Sequence, residues 1–381
     1  MGISRRNLIR SLGAGAIVGT TVHSLGGFTL AEAPPPSRIG TPAEPILLSS
    51  NENPYGPSEK TLAVTREACS SGNRYPRTEY DSLVHKLAAL HAVKTEQIVL
   101  GCGSGEILRM AGVAFLGPGK KLVEASPTFP ALGKFAQSAG FEVVDVPLNK
   151  MYEHDLDAML SLAATSAGLI YICNPNNPTG TLTTRKDIET FIRKLPQKTM
   201  VLIDEAYHHY VGGSSSYSSF LDQPFDDPRV IVARTFSKIY GLAGMRIGYA
   251  VAAPDVARRL SSDRMQFGVS VVSARAAAAA LDDSEYVRLG IKRNTDDRQE
   301  FMNQVNARML RALDSHTNFV MVNPMRPPDE VIEHLKKNNI LIGPRIPAMD
   351  KYIRVSLGTP AEMREFWRVW DLMPVPPKMA M

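Results

Sequence analysis

The stretch VIVARTFSKIYGLAGMRIGYAVA, residues 230–252, sets two apolar runs on either side of a lysine and a glycine-rich turn. The flanking runs VIVAR (230–234) and IGYAVA (247–252) read as strands. A strand buried on both faces of a sheet is apolar throughout instead of alternating. Working outward, strand candidates recur as IVLG (98–101), KLVEAS (121–126), EVVDV (142–146), LIYIC (169–173) and MVLID (200–204), several of them continuously apolar, with amphipathic helical periods between them. Strands alternating with helices in this way predict an α/β chain around a large, mostly parallel seven-stranded sheet.

Beyond Pro254 the strand rhythm stops. SARAAAAALDDSEYVRLGIKRNTDDRQEFMNQVNARML (273–310) is alanine-rich with charges at helical spacing. Alanine's helix propensity and small size predict a closely packed helical stretch here, not low-complexity disorder. NFVMVNP (318–324), ILIG (340–343) and YIRVSLG (352–358) then supply strands for a smaller α+β domain. The chain divides into a leader (1–33), a Pro-rich linker and arm (34–65), a large domain (66–262), a small domain (263–373) and a tail (374–381). GGSSSYSS (212–219) reads as a flexible loop.

Composition bounds the function. The 381 residues are 44% apolar, enough for a sizeable core, and the formal charge is only +5. Arg5, Arg6 and Arg10 contribute part of it, and the remainder is too mild and evenly spread to predict a nucleic-acid partner. Cys69, Cys102 and Cys173 have no metal-ligand spacing, so neither a metal site nor a disulfide framework is expected. The first residues differ in kind. SRRNLIR (4–10) leads into a Gly/Ala-rich apolar run, and Ala31-Glu32-Ala33 offers a small-x-small cleavage site before PPPS. This resembles a twin-arginine export signal, which implies the twin-arginine machinery as a partner and a periplasmic or otherwise exported location. Unused, the segment would leave the protein cytoplasmic; an uncleaved anchor is the alternative, although its glycines, threonines and His23 make a poor bilayer span.

Four separated segments carry chemistry. In VLIDEAYHHY, Asp204 and Glu205 end an apolar run, placing carboxylates where α/β sheets hold ligands, or else capping the next helix. ICNPNNPTG (172–180) runs a strand into Asn, Pro and Gly, which also make plain turns. LGCGSGEIL (100–108) puts Gly103, Ser104 and Gly105 before a helical pattern, where backbone N–H groups can face a phosphate. In RTFSKIYGLAGMR, Lys238 sits among Thr235, Ser237 and Arg246.

Together with SSNENPYGPS, NRYP, SPTFPAL and YIRVSLGT, these segments resemble the fold-type I pyridoxal-phosphate aminotransferases, most closely the histidinol-phosphate aminotransferase branch, from about Leu48 to Thr359. The resemblance implies a pyridoxal 5'-phosphate cofactor carried by Lys238 as a Schiff base, with the freed amine later moving the proton. It implies that Asp204 pairs with the pyridine nitrogen, that Tyr207 and Asn177 bond the ring hydroxyl, and that Phe129 stacks on the ring. It assigns Thr235, Ser237, Arg246 and the Gly103, Ser104 and Gly105 backbone to the phosphate. Tyr75 would reach that phosphate from the neighbouring subunit of a homodimer. Arg354 would clamp the donor's carboxylate, and Asn51 and Asn53 would shape the entrance. His208 and His209 are expected to pack, since Lys238 makes a histidine base unnecessary.

The partners so implied are a small-molecule amino donor and a 2-oxo acid acceptor, such as 2-oxoglutarate. The pattern departs from the family at NILIGPRIPAMDKYIRVSLGT: the family's phosphate-binding arginine falls on Gly343, and Arg345 lies two residues later. The donors left open are histidinol phosphate, aromatic amino acids and basic amino acids. A decarboxylase or lyase on the same scaffold, and a non-catalytic cofactor-binding protein, are the alternative functions.

Overall fold

The computed structural model describes residues 40–223 and 225–374. The leader, and all of the tail after Pro374, lie outside the described residues. Seven strands form the main sheet: β2 (Ile98–Gly101), β3 (Lys121–Ser126), β4 (Val143–Pro147), β5 (Ala167–Cys173), β6 (Met200–Asp204), β7 (Val230–Thr235) and β8 (Gly248–Val251). Their order across the sheet is β2-β8-β7-β6-β5-β3-β4. β3 to β7 run parallel, while β8 is antiparallel to both of its neighbours. β5 and β6 carry almost no exposed residue, which is why they read as unbroken apolar runs. The order reverses between β3 and β5, and a crevice opens beyond the carboxyl ends of strands at such a point.

A second group of strands packs around its own core. β1 (Ile46–Leu48) pairs in parallel with β11 (Ile340–Ile342). β9 (Arg311–Ala312), β10 (Phe319–Asn323) and β12 (Ile353–Ser356) form an antiparallel sheet in the order β12-β10-β9. Their apolar side chains meet Phe301, Phe366, Trp367 and Trp370 in one cluster. Thus the arm segment contributes one strand of a separate two-stranded sheet on this smaller core, a pairing its three residues do not announce.

The long helical stretch is two helices, Val271–Leu281 and Ser284–Ala307, broken at Asp282-Asp283. Ser270 caps the first by accepting from Ser273 N, and Asp283 caps the second by accepting from Tyr286 N. The alanines of the first helix, Ala274, Ala276, Ala277 and Ala280, lie in the core of the large sheet. That helix, grouped by sequence with the smaller domain, therefore packs as part of the larger one. Small side chains allow this close approach.

Candidate active site

The carboxyl ends of β3, β5, β6 and β7 and the loop after β1 enclose a cavity of about 1080 Å³. At its floor, β6 ends in Asp204, which is buried. Tyr171 Oη, on the adjacent β5, donates to Asp204 Oδ2 at 2.9 Å, and Ala206 N donates to Oδ1 at 3.1 Å. Burial raises this carboxyl to a pKa of about 6, while the two hydrogen bonds and Lys238 pull it down. The neighbouring Glu205 faces the other way. It forms a buried ion pair with Arg234 at 2.9 Å and accepts from Ser219 Oγ and Phe220 N. One acid thus serves the cavity, and the other fixes the 212–219 loop to the sheet.

Lys238 follows β7. Its Nζ donates to Asn51 O at 2.9 Å and to Ser50 O at 3.4 Å. Burial, reinforced by the Arg354 guanidinium, lowers its pKa to about 8. An amine in this state is a nucleophile near neutral pH.

An anion cradle lies beside it. Gly103, with φ of 74°, precedes the helix Ser104–Phe115. A Cβ at Gly103 would collide with Arg246 Nη2 and stand 2.9 Å from its Cζ, so glycine is what lets the guanidinium close over the helix N-terminus. Arg246 donates to Ala243 O at 2.9 Å and to Ser237 Oγ at 3.4 Å. Thr235 Oγ1 accepts from Ser237 N at 3.1 Å. Two hydroxyls, a guanidinium and helix-terminal amides converge there, a donor set suited to phosphate.

On the opposite wall, Arg354 of β12 donates to Asn177 Oδ1 at 2.7 Å and to Ser49 O at 2.8 Å. Its Nε is buried with no partner. Tyr207 Oη accepts from Asn51 Nδ2 at 2.9 Å and from Asn177 Nδ2 at 3.4 Å. Asn51, at φ of 54°, is tied to β12 through Ser356 Oγ, which accepts from Asn51 N at 2.9 Å. The loop after β1 is thereby stitched between Lys238 and Arg354.

Of the residues singled out by sequence, Lys238, Asp204, Tyr207, Ser104, Gly105, Phe129, Asn177, Thr235, Ser237, Arg246, Arg345 and Arg354 line this one cavity, with Gly103 just behind Arg246. Two do not. Asn53 lies off the cavity, donating to Ile239 O at 2.9 Å and accepting from Tyr55 N, because the turn after Glu52 carries it behind the wall that Asn51 forms. Tyr75 lies outside it too, 71% exposed and stacked on Phe267. His209 packs on the edge of Tyr240. Sequence reading missed Tyr171, whose signal was a hydroxyl inside an otherwise apolar strand. It also understated Asn51, whose side chain reaches Tyr207.

A buried lysine of lowered pKa, a buried carboxylate and a phosphate cradle at the switch point of an α/β sheet fit pyridoxal phosphate part by part. They define a fold-type I pyridoxal-phosphate enzyme. The chain belongs to the class I and II aminotransferase family, whose model matches residues 43–369. It is 37% identical over 321 residues to histidinol-phosphate aminotransferase 2 of Carboxydothermus hydrogenoformans, covering 84% of this chain and 88% of that one. The histidinol-phosphate aminotransferase of Moorella thermoacetica is 35% identical over 324 residues, covering 85% and 84% respectively. Among solved structures, the histidinol-phosphate aminotransferase of Sinorhizobium meliloti in complex with pyridoxal-5'-phosphate matches with a TM-score of 0.80 at 28% identity, covering 86% of this chain and 90% of that one. The protein is a pyridoxal-phosphate-dependent transaminase, moving an amino group from a small-molecule donor to a 2-oxo acid.

Proposed function

We propose that Lys238 carries the cofactor and moves the substrate proton, that Arg354 anchors the donor's anion, and that the working unit is an exported homodimer. When bound, pyridoxal phosphate supplies the electron sink that makes the donor's Cα–H acidic. Asp204, buried and already bonded by Tyr171, would hold a protonated ring nitrogen, a charge pair that lowers its carboxyl. Arg246, Ser237, Thr235 and the amides of Ser104 and Gly105 would hold the phosphate, and Phe129 would cover the ring. Asn51 and Asn177 orient the Tyr207 hydroxyl toward the cavity. With its pKa near 8, Lys238 Nζ can take a proton from the donor's Cα at neutral pH and release it again.

The observation that carries this reading is the convergence of Lys238, Asp204 and Arg354 on one cavity from three separate strand ends. Borohydride treatment of the loaded protein should fix the cofactor to the peptide containing Lys238, read by mass spectrometry. Fixation at another lysine would overturn the assignment.

Tyr75 supports the dimer, since it is exposed beside Phe267 and lies away from its own chain's cavity. Sedimentation of the purified protein tests this, and a monomer with full activity would refute it. The SRRNLIR leader supports export by the twin-arginine route, which carries folded proteins and so suits an enzyme that takes up its cofactor first. Changing Arg5 and Arg6 to lysine should hold the protein in the cytoplasm; unchanged fractionation would argue against that route.

A further inference from the structure

The cavity reaches past Phe129 to the β3–β4 edge of the large sheet, where Glu124, Gly133, Lys134, Gln137 and Asp145 also line it. Glu124 is only 5% exposed, and its Oε2 is buried with no hydrogen-bond partner. A buried glutamate is rare unless it is paired, so the missing partner calls for a physical reason. The helix Ala131–Ser138 packs on this carboxyl through Gly133, where a Cβ would collide with Oε1 and stand 2.9 Å from Cδ. Glycine is what leaves room for the carboxyl against that helix.

The groups around Glu124 leave it without a donor. It pairs in register with Asp145 of β4 and Tyr171 of β5, so the three side chains share one face of the sheet. An ionised Asp145 only accepts, and Tyr171 already gives its one proton to Asp204. Lys134 and Gln137 are exposed on the helix, where a flexible stem keeps the ammonium in water. Arg345 is paired with Asp329 at 2.6 Å. Burial, and then Asp145, raise the Glu124 carboxyl to a pKa of about 8. A cation brought beside it gains a partner and draws off that proton. No group of three metal-ligating side chains gathers among the described residues, which favours an organic cation with N–H donors over a metal ion.

We infer that Glu124, with Asp145 beside it, receives the cationic end of the amino donor's side chain, so that the enzyme prefers donors ending in an ammonium or guanidinium group to neutral donors of the same shape. The inference rests on the aminotransferase reading of Lys238. Matched donors test it: L-arginine against L-citrulline, and L-ornithine against L-5-hydroxynorvaline, each pair alike in shape and different in distal charge. Each is added to the loaded enzyme without acceptor, in wild type and in Glu124→Gln, and the loss of cofactor absorbance is followed. At least one basic donor should exceed its neutral partner in kcat/KM by about 10- to 100-fold, the range of a hydrogen bond to a charged group. In Glu124→Gln that ratio should fall toward one, through a raised KM of the basic donor. Equal rates within both pairs, or a preference that survives in Glu124→Gln, overturn the inference. If no donor converts the loaded enzyme, the aminotransferase reading itself fails, which is a different result.

A binding measurement on the wild type alone depends on neither turnover nor the folding of a variant. Calorimetry on the loaded enzyme compares 5-guanidinopentanoate with 5-ureidopentanoate, which lack the amine and so bind without reacting. The guanidino compound should bind about 10- to 100-fold more tightly. Its seat is the ionised carboxyl, so at pH 7, below the pKa of Glu124, it should release about one proton more than the ureido compound. Buffers of different ionisation enthalpy read that proton, and the excess should vanish as pH rises past about 8. Equal affinities, or no difference in proton release, would refute the inference.

Discussion

Replacing Gly103 by alanine should damage the cofactor site by a route that can be followed step by step. The new Cβ meets the Arg246 guanidinium head-on, 2.9 Å from Cζ and closer still to Nη2. The backbone there has φ of 74° and ψ of 165°, a region essentially reserved for glycine. That strain costs about 1–3 kcal/mol. It acts with or without cofactor, so it lowers stability and leaves affinity alone. For a chain of this size it shifts the melting temperature by a few degrees. Affinity falls for a second reason: Arg246 must swing away from the place its phosphate contact requires. Losing a hydrogen bond to a charged group is worth about 1.5–3 kcal/mol, or about a 10- to 100-fold weaker cofactor Kd. The assay is titration of the cofactor-free protein with pyridoxal phosphate, on Gly103→Ala, Arg246→Ala and the double variant. If the glycine acts through Arg246, the double variant binds no more weakly than Arg246→Ala. Wild-type affinity in Gly103→Ala, or full additivity in the double variant, would show that the close approach does not hold Arg246 for the phosphate.

Lys238→Ala should abolish turnover and the bound-cofactor absorbance while the circular dichroism spectrum stays native; retained turnover would sink the proposed chemistry. Cofactor loading needs the neutral amine, and Lys238 sits near pKa 8, below the usual lysine value because it is buried beside Arg354. The loading rate should therefore climb with pH up to about 8 and then level; a midpoint near the ordinary lysine value of about 10.4 would contradict the burial argument. Arg354→Lys keeps the charge but loses the planar fork, so kcat/KM for the amino donor should fall by about 10- to 100-fold, with KM raised and kcat lowered. Burial, and then Asp145 across the β3–β4 register, raise Glu124 from the usual carboxyl range to about 8, and its Oε2 has no partner. The folded state holds this proton more tightly than the unfolded chain, so stability present at low pH is lost as pH rises from about 4.3 to about 8. Thermal melts should show a smaller decline over that window in Glu124→Gln than in wild type, and parallel declines would place the loss elsewhere.

The inner strands of the large sheet, and the ends of β6 and β7 that carry Asp204 and Lys238, were legible from sequence because burial on both faces leaves a local apolar signature, while the half-exposed edge strand β4 showed through its valines. Gly103 before a helix and Arg246 after a glycine turn were legible for a similar reason, since backbone conformation restricts residue type at the position itself. Other features depended on which distant segments meet. Tyr171 reaches Asp204 across neighbouring strands, while Asn51 bonds Ser356 and Arg354 bonds Ser49, each over a separation of 305 residues. Asn51 and Asn53 are two residues apart in an irregular loop, yet one faces Tyr207 and the other Ile239. Without a regular period, no local pattern says which way each side chain turns. The same holds for the pairing of Ile46–Leu48 with Ile340–Ile342, for the alanine helix joining the large core, and for the closure of Gly343 onto Arg354. Sequence by itself determined the elements and the reactive groups, because burial and backbone strain act residue by residue. Only the tertiary structure decided which groups share a cavity and which guanidinium remains for the donor, because contact between distant segments is set by strand order and register.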